Sequence, residues 1–564
     1  MPEGKQRLSG WQRWTMVAVI LGSGIVFLDT SVVNLALPRI SQDLGSDWLR
    51  LAPLESQSYV ANGYFLTLSA LLILAGALTD YHGRRRMFGV GLAGFLVTSV
   101  LCGLAPNMEL LILFRILQGA TGALVVPGSL AIITASFHGE EQGRAFGFWA
   151  GASALTTILG PFIGGVLVNS ISWRAAFFIN VPFLLVAMVA LTRVPESRDE
   201  AATGRFDWLG SAVVALAVGG LAFGTIRGQQ SQWMATEAFV ALALGAVATV
   251  VFPVLMVKRR NVLVPPSLFR SRNFTVTNLS TFVIYGALYV FLTFQGLFLI
   301  GTLGYNEPAA GIAGLPATLL LALFSTRFGK LAARHGPRLF MTAGPVIMAL
   351  GLLWLARVPA TSDPWVLGTG GGQSILPPGD YFVDFLPALV VFGSGLMIMV
   401  APLTTALMTS VPPQNSGVAS AVNNAISRVG SPLVTALIFV AVVSTFYAAI
   451  QSAVPAADTT SPEFRQRVAP LNVQLLLGEE NDPGLVRAAR EASTDSFHLA
   501  MLVAAGLMVI GGAVNGFGIR NPRRAPAEPV AEGAEETQPD QVPAPPVPSP
   551  AAMPSENPGQ PDDR

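Results

Sequence analysis

Fourteen apolar blocks punctuate this chain, most of them close to the roughly 20 residues a helix needs to cross about 30 Å of hydrocarbon. They lie near 14–37, 58–79, 87–105, 108–133, 144–168, 175–193, 207–227, 234–257, 274–301, 308–328, 338–357, 383–409, 417–448 and 498–519. No water reaches backbone polar groups inside a bilayer, so a spanning segment must satisfy its own hydrogen bonds. Blocks of this length and uniformity therefore specify helices. Only 12% of the 564 residues are charged and 52% are hydrophobic, whereas soluble domains carry roughly a quarter charged residues. The expected fold class is an all-α polytopic membrane protein with 14 transmembrane helices.

Lysine and arginine set the orientation. Twenty-two fall in segments on the N-terminal side of the membrane, including Arg84, Arg85, Arg86, Lys258, Arg259, Lys330 and Arg338, against nine in the opposite loops. The positive-inside rule then predicts that both termini are cytoplasmic. The first apolar stretch is long and runs into Asp-Thr rather than a small-residue cleavage site, so no cleavable signal peptide is expected. A net charge of +1 offers no pull toward nucleic acid. The single cysteine, Cys102, and four scattered histidines supply no metal-ligand spacing. Gly89-Val-Gly-Leu-Ala-Gly94 matches a dinucleotide-binding pattern but has no preceding strand, so packing is its expected role.

An internal repeat organises the blocks. Gly76, Leu78, His82, Gly83 and Arg85 match Gly329, Leu331, His335, Gly336 and Arg338 at a constant offset, each set between two apolar helices. The chain thus divides into a cytoplasmic N-terminus (1–13), a six-helix bundle (14–206), two inserted helices (207–257) and a second six-helix bundle (258–520). External segments are expected near 358–382 and 449–497, the second as a short helical hairpin. A Pro-rich tail (521–564) is expected to be disordered. Parallel repeats enclosing a midplane site form a recurrent transporter plan.

The repeated loop resembles the signature of the major facilitator superfamily. Further segments are similar, more narrowly, to its fourteen-helix drug:proton antiporters. These are Leu28-Asp-Thr-Ser-Val-Val-Asn-Leu-Ala-Leu-Pro38, Arg115-Ile-Leu-Gln-Gly119, Gly147 through Gly151 to Gly160-Pro-Phe-Ile-Gly-Gly165, and Trp173-Arg-Ala-Ala-Phe-Phe-Ile-Asn-Val-Pro182. Gln295, Asn424, Arg428 and Gly430 fit as well. The resemblance covers roughly 12–448 and the last helix.

Asp29 and Arg115 are the candidate proton-coupling residues. An ionised group inside a membrane helix costs a few kcal/mol or more, so it must pair, face water or be neutralised. Asp29 alternatively lies in the outer headgroups near Pro38, and Arg115 alternatively bonds backbone carbonyls. Gly147, Gly151, Gly160, Pro161, Gly164 and Gly165 give one helix a small-residue face suited to close helix contact. The resemblance implies an antiporter motif there, and hence export. Gly76, Asp80, Gly83, Arg84 and Arg85 form a candidate cytoplasmic gate, with Ala333 in the second copy where the first has Asp80; a purely topogenic role for the arginines is the alternative. No Gly-x-x-x-x-Gly-Lys-Ser/Thr loop occurs, so direct ATP drive is not expected and secondary transport remains; the resemblance, with Asp29 and Arg115, implies the proton gradient as energy source, without a cofactor. The expected function is export of amphipathic or cationic drugs or antibiotics in exchange for protons across the cell (plasma or inner) membrane, by a monomer in contact with membrane lipids. The alternatives are export of an endogenous lipid, siderophore or metabolite, or a non-transporting receptor with a transporter fold.

Overall fold

The computed structural model describes residues 9–45, 53–198, 206–231, 234–259, 262–368, 373–473 and 483–521. A helix occupies each of the expected apolar blocks, and no strand occurs among the described residues. In chain order the helices are α1 (Gly10–Asp43), α2 (Pro53–His82), α3 (Arg84–Gly103), α4 (Met108–Ser136), α5 (Gly139–Ser170), α6 (Ala175–Phe178), α7 (Asn180–Leu191), α8 (Trp208–Gln230) and α9 (Thr236–Lys258). They continue with α10 (Arg272–Leu297), α11 (Glu307–Ala313), α12 (Leu315–His335), α13 (Arg338–Leu355), α14 (Leu386–Thr409), α15 (Ser416–Ala453), α16 (Pro462–Arg467) and α17 (Pro483–Gly518). Among the described residues, twelve stretches are long and apolar enough to cross a membrane; α5 and the α6–α7 pair fill the two remaining blocks.

Local chemistry starts and sustains these helices. Ser9 and Gln12 form a reciprocal capping box at the head of α1, and the Asn107 side chain accepts from the Leu110 N–H to open α4. Pro38 and Pro127 lie inside α1 and α4 without ending them. Packed neighbours make such prolines tolerable in a membrane helix.

Buried apolar residues gather in two large clusters. One is built mainly from α1–α7, extends onto α8, α10, α14 and α15, and includes Phe88, Phe95 and Phe177; the other is built from α10–α15 and α17 and includes Phe294, Phe392 and Phe497. Helices α8 and α9 pack on one another, with Gly220 and Gly224 against the α9 backbone, and α8 rests on α2 and α15. The two sets of helices meet through α2 against α15 and α5 against α12.

The 449–497 segment departs from the expected separate hairpin. Helix α15 runs on to Ala453, and α17 begins at Pro483 rather than near 498. Phe446, Tyr447 and Ile450 pack with Ala489 and Ala492 to give these extensions a small core of their own, so burial rather than the membrane boundary sets the helix ends. Between them Tyr447 Oη donates to the Val468 carbonyl at 3.0 Å, and residues 474–482 lie outside the described residues. The 358–382 segment is held by Asn306, whose side chain donates to Leu367 O at 2.9 Å and accepts from Leu367 N at 3.1 Å. Residues 1–8 and the tail from 522 onward lie outside the described residues as well.

Candidate functional site

Helix α1 carries Asp29 some fifteen residues into its apolar stretch, about 22 Å at 1.5 Å per residue. Asp29 is far from either end of α1, which continues through Pro38 to Asp43. The carboxylate is wholly buried. Its Oδ2 accepts from Arg115 Nη1 at 2.6 Å, and its Oδ1 accepts from Gln118 Nε2 at 3.2 Å and Asn180 Nδ2 at 2.8 Å. Arg115 Nη1 also donates to Gln118 Oε1 at 2.7 Å, and the guanidinium stacks 4.2 Å from the Tyr64 ring centroid. Asn180 reaches Ser99 Oγ at 2.9 Å, and Ser99 Oγ donates to Phe177 O. Six helices of the N-terminal set, α1, α2, α3, α4, α6 and α7, thus contribute to a network around one ion pair closed off from solvent.

Gln118 and Asn180 lie in two of the segments that carry the resemblance, Arg115–Gly119 and Trp173–Pro182, without a charge to single them out. Their spacing carries a usable signal: Gln118 follows Arg115 by three residues, so both lie on one face of α4. Asn180 had no comparable signal, because only the tertiary fold brings α7 to α1.

The second group lies at the arginine-rich end, where the two sets of helices touch. Asp80, at the end of α2, accepts from the N–H groups of Gly417 at 3.1 Å and Val418 at 2.8 Å. The carboxylate therefore sits on the N-terminus of α15, where the helix dipole and free N–H groups favour an anion. Arg84 lies 3.4 Å from Asp80 and also donates to the Pro413 carbonyl, so it bridges the seam from the same side. Gly76 lets the helices touch: a Cβ there would stand 2.5 Å from both Ala421 Cβ and the Gly417 carbonyl oxygen. Gly83 has φ +107°, a conformation glycine adopts freely. Arg85 and Arg86 instead contribute their backbone N–H groups, both donated to Glu196 at 3.0 Å.

Glu196 has a counterpart in the second half. There Gly336 has φ +86°, and Arg338 N donates to Asn521 Oδ1 at 3.1 Å. In both copies a residue beyond the last helix of the half caps the helix after the loop. The cap is charged in one copy and neutral in the other. Neither capping residue was legible from the repeat, since each lies far along the chain from the motif it serves.

The small-residue face of α5 divides by depth. Cβ atoms at Gly147 and Gly151 would lie 2.6 Å from Thr326 Cα and 2.7 Å from the Ala322 carbonyl of α12, across the seam. At Gly160 and Gly164 the neighbours are Ser31 and Val32 of α1, within the N-terminal set. Pro161 and Gly165 belong to the same helix, but their side-chain surroundings lie outside the described residues. Near the start of α5, before its apolar stretch, Glu140 meets Lys330 Nζ at 2.7 Å and Arg334 Nε at 2.8 Å. The Lys330 hydrogen bond leads the causes that hold the Glu140 carboxyl below its usual range. A depressed carboxyl loses its contribution only as pH falls through the depressed value, so this bridge persists at neutral pH. In the second repeat the carboxylate thus comes from the opposite helix, which balances Ala333.

Replacing Asp80 by Asn should weaken the seam, since a hydrogen bond to a charged group contributes about 1.5–3 kcal/mol. The open form of this end is expected to gain roughly tenfold in population, 1.4 kcal/mol being a factor of ten. Labelling of a cysteine placed at Ser325, in a Cys102→Ala background, measures it. Unchanged labelling would show that Asp80 does not hold the seam.

Of the remaining residues, Gln295 is buried on α10, Gly430 lies against Phe282, and Asn424 bonds back to Ser420 O at 2.9 Å. Gly94, from the dinucleotide-like pattern, packs on Thr121 of α4. Among the described residues no group of three or more His, Cys, Asp or Glu is placed to hold a metal ion.

The chain is 32% identical over 426 residues to the multidrug resistance protein Stp of Mycobacterium tuberculosis, covering 75% of this chain and 74% of that protein. It is also 32% identical over 436 residues to the tetracenomycin C resistance and export protein of Streptomyces glaucescens, covering 76% of each. Among solved structures, the human organic anion transporter MFSD10 (TETRAN) superposes with a TM-score of 0.56 at 13% identity, covering 90% of this chain and all of that one. The proton:xylose symporter XylE gives a TM-score of 0.51 at 15% identity over 88% of this chain and 94% of that one. These two share the fold. The profile of the Major Facilitator Superfamily matches residues 19–435, and with that span, the helical architecture and the seam geometry in agreement, this multi-pass membrane protein belongs to the Major Facilitator Superfamily.

Proposed function

We propose that the protein exports a small amphipathic drug or antibiotic in exchange for protons, by alternating access between two six-helix halves (14–206 and 258–520). The 207–257 pair is then an insertion between the halves, and both termini face the cytoplasm of a cell whose plasma or inner membrane holds the protein. The Asp29–Arg115 pair carries this reading. A carboxylate held 2.6 Å from a guanidinium, wholly buried in a membrane helix, persists only while both charges are present. Protonating Asp29 weakens its hold on Arg115 and frees the elements that meet there to repack. Asp80, Arg84 and Gly76 then act as the cytoplasmic gate, and Gly147 and Gly151 let the same seam close on the second side. The protein is a transporter and not an enzyme. Its energy source is the proton gradient, without a cofactor. The relatives named for multidrug and tetracenomycin C resistance support the substrate class.

Everted membrane vesicles test this directly. With an acid interior, they are expected to accumulate members of a panel of anionic, neutral and cationic amphipathic probes, and a protonophore should abolish the accumulation. Silence across the panel, or accumulation indifferent to the protonophore, would refute proton-coupled drug export.

A further inference from the structure

Three charged side chains stand out inside apolar helix stretches, and the coupling reading uses two of them. Asp29 and Arg115 cancel one another within the N-terminal set. Arg428 does not share in that cancellation. It lies twelve residues into α15, about 18 Å along the helix, which places it near the middle of the hydrocarbon. Among the described residues it forms no ion pair, and it is only half-buried.

Helix geometry says where it faces. Gly417 and Ala421 are the α15 residues that touch Gly76, and Arg428 follows them at i+11 and i+7, on the same stripe of the helix. It therefore faces the N-terminal set, two turns beyond the closed seam and away from the arginine-rich end. Gly430 turns the other way, toward Phe282 of α10. An unpaired guanidinium at this depth is costly and marks a functional site, and its planar fork suits oxyanions.

We propose that Arg428 anchors an anionic group of the exported molecule: a carboxylate, sulfonate, phosphate or ionised phenol on an amphipathic body. The proposal rests on the exporter reading above and narrows its substrate class. Because Asp29 is already compensated by Arg115, Gln118 and Asn180, no free carboxylate from that group is left for a cationic substrate in this conformation. The Arg428 guanidinium then stands on the seam side of α15 as a half-buried positive charge.

The test uses one planar scaffold at three charges: fluorescein, its methyl ester and the cationic rhodamine 6G, titrated against purified full-length protein in lipid nanodiscs. Wild type should bind fluorescein at least tenfold more tightly than rhodamine 6G, with the ester between. Arg428→Gln should lose tenfold or more for fluorescein and little for rhodamine 6G. Arg428→Lys should retain part of the preference, since it keeps the charge but not the fork. A wild-type preference for rhodamine 6G, an equal loss for all three probes, or no binding of any of them would overturn the proposal. So would Arg428→Gln keeping the fluorescein preference. If Arg428→Gln does not fold, the wild-type order and the lysine variant decide. Binding needs no proton gradient, so failure here is separable from failure of proton-coupled export in vesicles.

Discussion

Asp29→Asn is expected to abolish uphill, proton-driven export while leaving substrate binding within a few-fold of wild type. The amide can still hydrogen-bond but cannot be ionised, so Arg115 becomes a buried cation without a counter-charge. Removing one partner of a buried pair destabilises by about 3–5 kcal/mol; thermal stability should therefore fall together with transport, and lost activity alone would be ambiguous. The double variant Asp29→Asn/Arg115→Gln separates the two effects. With both charges removed, the network around Gln118 and Asn180 is neutral and can remain hydrogen-bonded. The double variant is expected to recover most of the lost thermal stability without recovering coupling. It should still equilibrate substrate across reconstituted vesicles, but not accumulate it against a gradient when a pH difference is imposed. Accumulation by either variant at the wild-type level would remove Asp29 from the coupling mechanism.

Gly76→Leu should stop the cycle in a different way, by preventing the seam from closing. The contact at that position involves the first side-chain atom of Ala421 and the backbone oxygen of Gly417, both 2.5 Å from where a Cβ would be. Neither can swing aside as a long side chain could. Forcing a side chain into a packed site costs about 1–3 kcal/mol, occasionally more, and each 1.4 kcal/mol shifts a two-state equilibrium about tenfold. A cysteine at Ser325 reports the outcome, because Ser325 is buried against Gly147, whose carbonyl its hydroxyl reaches at 2.7 Å. In everted vesicles a membrane-impermeant maleimide should label it more than tenfold faster in the Gly76→Leu protein than in its parent, and export should fall to background. Slow labelling with normal export would mean that the close approach at Gly76 is not required for the gate. The equivalent Gly160→Leu change, against Ser31 of the same helical set, serves as the contrast. It should impair assembly of the N-terminal set rather than trap one conformation.

Asp29 and Arg115 could be picked from the sequence because charge in an apolar helix is rare and costly, a one-residue signal that needs no knowledge of the fold. Gln118 was not picked, although its place three residues after Arg115 puts it on the same helical face. Nor were Asn180 and Ser99, since a neutral polar residue in a membrane helix is common and only its partner reveals its use. The same holds at the gate. Gly76, Gly83 and Arg85 stood out through the repeat and Asp80 as the acid beside them, whereas Glu196 and Asn521 act on that repeat from more than a hundred residues away.

The α5 glycines illustrate a different limit. Their four-residue spacing announces a close helix contact, but a spacing does not name the partner, and the face proves to serve α12 at one end and α1 at the other. The end of α15 and the start of α17 also escaped a reading based on apolar length, because those helices run on past the apolar blocks and bury a small core of their own.

Apolar block length, arginine distribution and an offset repeat are properties of the chain taken singly, and they determined the solvent, the helix count and the expected orientation. Pairings across helices depend on which faces the folded bundle turns toward each other. The tertiary structure alone decided that Asp29 is met by three donors, that Asp80 sits on the head of α15, and that Arg428 faces the seam without a counter-charge. Hydrophobic burial is non-directional and roughly additive along a sequence. Hydrogen bonds and ion pairs are directional and short-ranged, so their partners exist only once the helices have packed.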